Sequence, residues 1–367
     1  MRLEELDFHI PEGLIAQEPL AQRDSCRLLR LGADGCREHR VFSDLPEILR
    51  PGDLLVFNDS RVLPARVQAH RSSGGKVELL FLRPVGGGKG PAERWEALAR
   101  PSHRLKPGEE VDLGDGDAVA LCERLGEGSW LVEGRGGRSL LTIMERHGRL
   151  PLLPYIKRYP ADPSSYQTVY AAAPGSAAAP TAGLHFTPAL QERLRAAGVD
   201  AAYVTLHVGL DTFQPIREET VEAHKIHREA FSVSPEALAS IRAARAEGRR
   251  VVAVGTTATR VLETLAGLGA LDGKGFGAEA AGGAPTPARG AGLSASTEIY
   301  ITSGYRFRAV NALITNFHLP RSTVLALTMA FVGAERLRAA YAEAIAMKYR
   351  FFSFGDAMLA EARDAHV

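Results

Sequence analysis

Between about residues 63 and 138 the chain takes on a texture that few folds accommodate. Six short runs follow one another there: PARVQAH, KVELLFL, RWEALA, EEVDL, AVALCERL and SWLVEG. They are separated by the links SSGG, VGGGKGP, RLKPG, GDGD and GEG. Alternating runs at roughly ten-residue spacing with glycine-rich turns point to a small barrel or sandwich. The segment reads as an all-β insert in a chain of another kind.

On either side the pattern alternates between helix and strand. LLRL and DLLVFNDSR read as early strands. Thr187 can cap a helix over TPALQERLRAAG, with Pro188 at its first position and Gly198 at its end. AAYVTLHVGL follows as a strand. Ser234 and Pro235 open a second helix, whose Glu236 suits the helix dipole. RRVVAVG is then a strand, leading to a helix over about residues 257–268. Further strands are expected at 298–302 and 312–315, and helices from about Ser322 and over 334–347. The architecture expected is an α/β main domain (residues 1–62 and 148–367) with a small all-β barrel domain inserted at 63–147. The Gly/Ala-rich stretch 267–292 reads as a surface loop.

Composition narrows the class. The 367 residues are 45% hydrophobic and 24% charged, as in soluble globular proteins. The longest apolar stretch, around residues 324–332, falls short of the roughly 20 residues that span a bilayer, so no membrane role is expected. The start, MRLEELDFHI, lacks the apolar core of a secretory signal. Cys26, Cys36 and Cys122 are odd in number and none is paired at metal-ligand spacing. That argues for a reducing cytoplasm rather than a disulfide framework. The net charge of +1 hides a segregation: ten basic against three acidic residues over 61–106, then nine acidic against three basic over 107–145. The basic block is either a phosphate-binding face or one half of a set of cross-strand ion pairs. Charge alone leaves both open.

Polar residues gather after the apolar runs. His207 and Gly209 follow YVTL, Gly255-Thr256-Thr257 follows VVAV, and Asn316 and His318 follow ALIT. PTAGLHFTP sets Gly183 and His185 ahead of a helix. In a mostly parallel sheet these segments converge on one rim, where α/β sheets bind ligands. The GTT turn suits an anion at a helix N-terminus, although it is neither a Walker loop nor a dinucleotide fingerprint. A lone histidine after a strand is more often structural than catalytic. His224 and His227 in HKIH lack the glutamate of the HExxH zinc motif and a third ligand, so no metal is expected. There is no G-x-S-x-G, and no cysteine sits in an activating context. Phe352 and Asp356 in YRFFSFGDAML suit a purine and a ribose, or equally a core plug whose aspartate caps a turn.

The strings taken together say more. FNDSRVLPARV, ARPSHRLKPG, GRLPLLPYIKR, YQTVYAAAPGSAAAPTAGLHFTP, YVTLHVGLDTFQPI, HKIH, VAVGTTATRVLE, ALITNFHLPRSTVL and YRFFSFGDAML occur in the order expected of one family. With the N-terminal LDFHIPEGLIAQEPLAQRDSCRLLRL, the chain resembles the S-adenosylmethionine:tRNA ribosyltransferase-isomerases of queuosine biosynthesis from near residue 6 to about residue 359. It departs from that pattern at Ser303 (more often Pro), Asn311 (commonly Asp), Asp211 and Gln214 (more usually Gly and Arg) and Ser165 (frequently Arg).

The resemblance implies an α/β domain with a β-barrel inserted. It also implies a reaction in which S-adenosylmethionine is consumed as a ribosyl donor. The acceptor is 7-aminomethyl-7-deazaguanine at the tRNA wobble position, and the products are epoxyqueuosine in tRNA, adenine and methionine. No metal or separate cofactor is implied, and a cytoplasmic monomer is the working expectation. Such chemistry needs proton shuttling near neutral pH, which suits histidine. His185, His207 and His318 are the acid/base candidates, with no order among them. Thr181, Gly183, Phe186, Gly255, Thr256, Thr257, Asn316, Phe352 and Asp356 are the expected substrate contacts. For tRNA, Lys157 and Arg158 interleave with tyrosines including Tyr166, as loop bases and phosphates require. Arg61, Arg66 and Lys76 of the basic block extend that surface.

Two other classes compete. An S-adenosylmethionine-dependent RNA methyltransferase would carry a glycine-rich loop after its first strand, which DLLVFNDSR does not offer. A non-catalytic tRNA-binding protein would account for the basic residues but not for the histidine-bearing turns.

Overall fold

Alternating runs bounded by turn residues become strands throughout the structure, a computed structural model that describes residues 1–85, 93–126, 128–209, 215–226, 228–272 and 292–362. In chain order the first strands are β1 (Arg27–Leu31), β2 (Arg37–Val41), β3 (Leu54–Asn58) and β4 (Ser60–Val62). Then come β5 (Arg66–Arg71), β6 (Lys76–Val85), β7 (Arg94–Arg100), β8 (Glu109–Gly114), β9 (Asp117–Gly126) and β10 (Ser129–Arg135). Two short strands follow, β11 (Gly148–Arg149) and β12 (Ala173–Ser176). The rest are β13 (Asp200–Leu206), β14 (Glu229–Val233), β15 (Val251–Val254), β16 (Leu293–Thr297), β17 (Ala312–Asn316) and β18 (Ala357–Glu361). The helices are α1 (Leu45–Ile48), α2 (Leu140–His147), α3 (Pro188–Ala196), α4 (Pro235–Ala246), α5 (Gly255–Gly267), α6 (Thr323–Val332) and α7 (Ala334–Ala346).

Two compact units result: residues 61–153 with 174–178, and residues 1–60 with 154–173 and 179–367. In the smaller, all six expected runs are strands. They pair in the order β5-β6-β7-β10-β9-β8, and β5 also pairs with β8, closing a six-stranded antiparallel barrel. Alternate residues such as Val67, Leu79, Trp95, Ala97, Val119 and Trp130 fill its interior. The basic and acidic blocks meet at two ion pairs, where Arg71 holds Glu109 and Arg94 holds Glu133. Other pairs form within a block: Arg66 with Glu78 at 3.0 Å, Arg83 with Glu96 at 2.9 Å and Arg135 with Glu110 at 2.9 Å. Fully buried Asp117 takes Arg138, Arg146 and His147. Pairing between the blocks accounts for Arg71 and Arg94 but not for most of the basic block.

The larger unit is built on a nine-stranded mixed sheet, ordered β16-β14-β13-β3-β15-β17-β18-β1-β2. Thr187 caps α3 by accepting from the Leu190 N–H at 3.1 Å, and Ser234 and Ser322 cap α4 and α6 in the same way. One face of the sheet packs Leu55, Phe57, Val252, Val254, Ile314 and Leu359 against Phe42, Phe186, Leu190 and Leu194. One local reading is corrected. The strand expected at 298–302 lies at β16, because Leu293 to Thr297 are the residues that ladder with β14. Beyond Gly355, where no strand is expected from the sequence, β18 lies between β17 and β1 and is buried along its whole length. His227, Asp211, Gln214 and most of the Gly/Ala-rich stretch lie outside the described residues.

Candidate functional site

Four parallel strands end on one rim of the larger unit. β13, β3, β15 and β17 are neighbours in that order, so the turns that leave them share a carboxyl edge. His207 follows β13, Asp59 follows β3, Gly255 opens α5 directly after β15, and Asn316 closes β17. The PTAGLH segment packs into this rim. A Cβ on Gly255 would sit 3.5 Å from the Ala182 Cβ and 3.7 Å from Thr257 Oγ1. Thr181 Oγ1 donates to Asn316 Oδ1 at 3.3 Å. The backbone segments therefore converge as expected. Their side chains do not all follow.

His185 is buried, and its hydrogen bonds fix its tautomer. Asn316 Nδ2 donates to the Phe352 carbonyl at 3.1 Å, which sets the amide's orientation, and so it also donates to His185 Nε2 at 3.0 Å. The neutral ring then carries its proton on Nδ1, which faces Cys26 Sγ at 3.2 Å. Burial, with Arg350 and Arg23 nearby, lowers the His185 pKa to about 4. The ring borders a cleft of about 260 Å³, solvent-facing space included, lined also by Arg23, Cys26, Ser165, Ser353 and Phe354. Burial and Asp356 push the Cys26 thiol well up, so it remains S–H.

His318 lies on the other face of the sheet. Thr315 and Asn316 are adjacent in β17 and so point to opposite faces. His318 bonds to Thr315, whereas His185 bonds to Asn316. Thr328 Oγ1 donates to the Val324 carbonyl at 2.8 Å, so it accepts from His318 Nδ1–H at 3.1 Å, and Thr315 donates to Nε2 at 3.1 Å. Burial lowers the His318 pKa to about 3. Both nitrogens are occupied within the fold.

His207 differs from both. Its backbone is tied to Ala230, but its Nδ1 is buried without a partner among the described residues. Burial lowers its pKa, and the Asp59 carboxylate pulls the other way. Asp59 accepts from Thr205 Oγ1 at 2.6 Å.

Around this rim several hydroxyls have no partner among the described residues: Thr257 Oγ1 in the first turn of α5, Thr168 Oγ1 and the Tyr170 hydroxyl. The last two residues crowd Gly183, where a Cβ would lie 1.9 Å from the Tyr170 hydroxyl. Only glycine fits there. Gly255 needs to be glycine for its φ of +90°. Thr256 beside it is half-buried.

Other expected contacts are engaged within the fold. Phe186 is fully buried against Phe42 and Phe57. Asp356 accepts from the backbone N–H groups of Arg27 at 2.9 Å and Arg350 at 2.7 Å, and it pairs with the Arg27 guanidinium. The Phe352 ring packs on Tyr155 with centroids 4.7 Å apart and is itself 4% exposed; its carbonyl, not its ring, faces the Asn316 cluster. Tyr166 is fully buried on Phe354 and offers no face for a base to stack on. Of the expected RNA contacts, Arg61, Lys76, Lys157 and Arg158 are exposed, and Arg66 is committed to Glu78.

Sequence reasoning missed Asp59, Thr168, Tyr170 and Cys26. Asp59 stands in FNDSR directly after a strand, the same signal that singled out His207. Nothing local marks the others. Among the described residues no three His, Cys, Asp or Glu side chains gather as a metal site.

Comparisons with known proteins bear on this geometry. A family profile described as "Queuosine biosynthesis protein" matches residues 3–360. The chain is 50% identical over 362 residues to an S-adenosylmethionine:tRNA ribosyltransferase-isomerase of Anaeromyxobacter sp. (strain Fw109-5), covering 98% of this chain and 99% of that one. It is 49% identical to the Rubrobacter xylanophilus protein of the same name, covering 98% and 97%. The crystal structure of S-adenosylmethionine tRNA ribosyltransferase from Thermotoga maritima is similar at 34% identity and a TM-score of 0.53, covering 97% of this chain and 99% of that one.

Proposed function

This chain belongs to the family of S-adenosylmethionine:tRNA ribosyltransferase-isomerases, and from that premise we propose how its rim divides the work. Its function is the family's: the ribosyl moiety of S-adenosylmethionine is transferred and isomerised onto the aminomethyl base of tRNA, giving epoxyqueuosine in tRNA, with adenine and methionine released. S-adenosylmethionine is consumed as a substrate, and the proposal assigns no step to a metal. A cytoplasmic monomer is proposed as the working unit.

The sulfonium acidifies the neighbouring C5′–H, adenine must leave, and the acceptor ammonium must lose a proton before its nitrogen can attack. The first and last demands call for a base that is neutral near pH 7 and has a free nitrogen, while the departure of adenine calls for a donor to one of its ring nitrogens. One observation carries the assignment to His207: it has a buried ring nitrogen without a partner on the rim, with Asp59 near enough to stabilise the imidazolium that forms. His185 acts as a positioning residue that holds Asn316 and the PTAGLH turn. His318, sealed on the far face, supports α6 against β17. The first turn of α5 at Gly255, Thr256 and Thr257 offers unpaired N–H groups and a free hydroxyl to the methionine carboxylate. Lys157 and Arg158, with exposed Tyr159 beside them, are proposed to meet the anticodon loop.

The test is direct. The protein is incubated with S-adenosylmethionine and tRNA bearing the aminomethyl base, and adenine, methionine and tRNA mass are followed. Release of adenine with a ribosyl-sized mass gain is expected. A gain of a single methyl group would mean methyl transfer, and no consumption of S-adenosylmethionine would mean a binding protein.

A further inference from the structure

The barrel's arginines differ in what holds them. Arg66, Arg71, Arg83 and Arg94 are locked to carboxylates on neighbouring strands. Arg100, Arg104 and Arg124 are exposed, and none has a carboxylate within ion-pair distance among the described residues. Arg100 stands opposite Glu78 in the β6–β7 ladder. Both Glu78 oxygens are already taken, however, by Arg66 at 3.0 Å and Gln68 at 2.9 Å.

Two of these cations, Arg100 and Arg124, line one hollow. It holds about 890 Å³ of unfilled space, bulk-facing space included, and Arg100, Pro101, Ser102, His103, Arg124 and Gly128 form much of its wall. Arg104 adjoins it through His103, with Nε donating to His103 Nε2 at 3.3 Å. That leaves the neutral imidazole with its proton on Nδ1, one more donor. Arg124 is held in place: Nη2 donates to the Ser102 carbonyl at 2.8 Å and to Ser102 Oγ at 3.2 Å. Its guanidinium lies 5.3 Å from the centroid of the Trp130 ring, and Trp130 Nε1 in turn fixes Ser102 Oγ at 2.9 Å. The donors on Nη1 and Nε remain free.

A hollow lined by two guanidinium groups without carboxylate partners, with a third adjoining it, calls for an anion. It lies open to solvent, and Trp130 is buried beneath Arg124, so no ring is offered for a base to stack on. Such a surface suits a backbone phosphate and not a base edge. We propose that this hollow binds a phosphodiester of the tRNA backbone through Arg100, Arg104 and Arg124. On this view the ARPSHRLKPG segment and Arg124, not Arg66, are the barrel's RNA contacts. The proposal rests on the reading that the substrate is tRNA.

The test uses the full chain. Arg100→Gln, Arg104→Gln and Arg124→Gln are combined, and affinity for tRNA bearing the aminomethyl base is measured between about 50 and 200 mM salt. Each lost phosphate contact should make the log–log salt dependence shallower by about 0.7 to 0.9. The triple variant's slope should be shallower by about two to three, and its affinity at the low-salt end should fall at least about tenfold. Its KM for S-adenosylmethionine at saturating tRNA should not move. Arg83→Gln, which removes a cation already paired to Glu96, should leave the slope unchanged. A triple variant with wild-type slope and affinity would overturn the proposal, as would an equal effect from Arg83→Gln. If loss of the Trp130 contact unfolds the triple variant, the Arg100→Gln/Arg104→Gln pair decides by the same criteria. Lost turnover with intact tRNA affinity would count against the rim assignment instead. A wild-type protein that binds tRNA but releases no adenine would count against the functional reading alone.

Discussion

Three histidines with similar sequence credentials receive three different environments, and the hydrogen-bond partners decide which of them can act. His185 and His318 have both ring nitrogens engaged, whereas His207 keeps one free. His207→Gln is therefore expected to lower turnover by at least about a hundredfold, the usual scale for loss of a positioned base. Single-turnover adenine release would read this. Retention of wild-type rate would transfer the role elsewhere. The pH dependence has a definite sign. A base works deprotonated, so kcat/KM should fall as pH drops through the His207 pKa, which burial holds below the ordinary 6.5. Asp59 stabilises the protonated ring, so Asp59→Asn should move that acid limb to still lower pH. A limb that stays put or rises would break the pairing. The departures at Asn311 and Ser303 have simple local accounts. Asn311 Oδ1 still accepts from the Val251 N–H at 2.8 Å, the role an aspartate oxygen would fill. Ser303 is exposed in a turn closed by Tyr305 N–H to the Thr302 carbonyl, at a position where proline is favoured but not required.

At the scale of elements, α5 does more than present its N-terminus. Glu263, fully buried, accepts from the Tyr305 hydroxyl and the backbone N–H groups of Arg308, Ala309 and Val310 at 2.9–3.1 Å. One carboxylate thus satisfies a whole turn leading into β17, the strand that carries Asn316. Glu263→Ala would strand these donors and should destabilise the protein by at least about 3 kcal/mol, since each buried unmet donor costs about 1–3 kcal/mol. Chemical denaturation measures the loss, and hydrogen exchange should quicken over residues 305–310. A loss under about 1 kcal/mol would mean that water substitutes for the carboxylate. Farther along α5, Arg260 pairs with Glu229, whose other oxygen accepts from the Gly209 N–H at 2.8 Å. This buried pair ties the turn after His207 to the helix whose first turn faces the rim.

Across the whole molecule the two buried histidines predict an acid-labile fold. Their folded pKa values, about 4 and about 3, lie below the ordinary 6.5. Above pH 6.5 they are neutral in both folded and unfolded chains and cost nothing. As pH falls below 6.5 the unfolded chain takes up protons that the folded one refuses, so stability drops until the folded values are reached. A tenfold difference in proton affinity between the folded and unfolded chain is worth about 1.4 kcal/mol, so each histidine accounts for a few kcal/mol. His318→Gln, able to serve both threonines, should flatten the loss between about pH 6.5 and 4 in acid-denaturation profiles. An unchanged stability profile would mean that His318 titrates freely. No helix among the described residues is long and apolar enough to cross a membrane.

Much of this was written locally. Period-two alternation and glycine turns specify six barrel strands, and cap residues such as Thr187 and Ser234 specify helix starts, because these depend on neighbours within a few residues. The order of polar turns after strands also located the rim. What the sequence could not state was the face each side chain would take. Thr315 and Asn316 are adjacent in the chain, yet one directs its histidine away from the rim and the other directs a second histidine toward it. Phe186, Tyr166 and Asp356 looked like ligand contacts because their chemistry suits ligands. Burial and the partners they found far along the chain, 329 residues away in the case of Asp356 and Arg27, made them part of the core. Likewise, which arginines remain free for RNA depended on which carboxylates the closed barrel set beside them. Hydrogen bonding and ion pairing are contests among groups brought together by folding, and their outcome exists only in three dimensions.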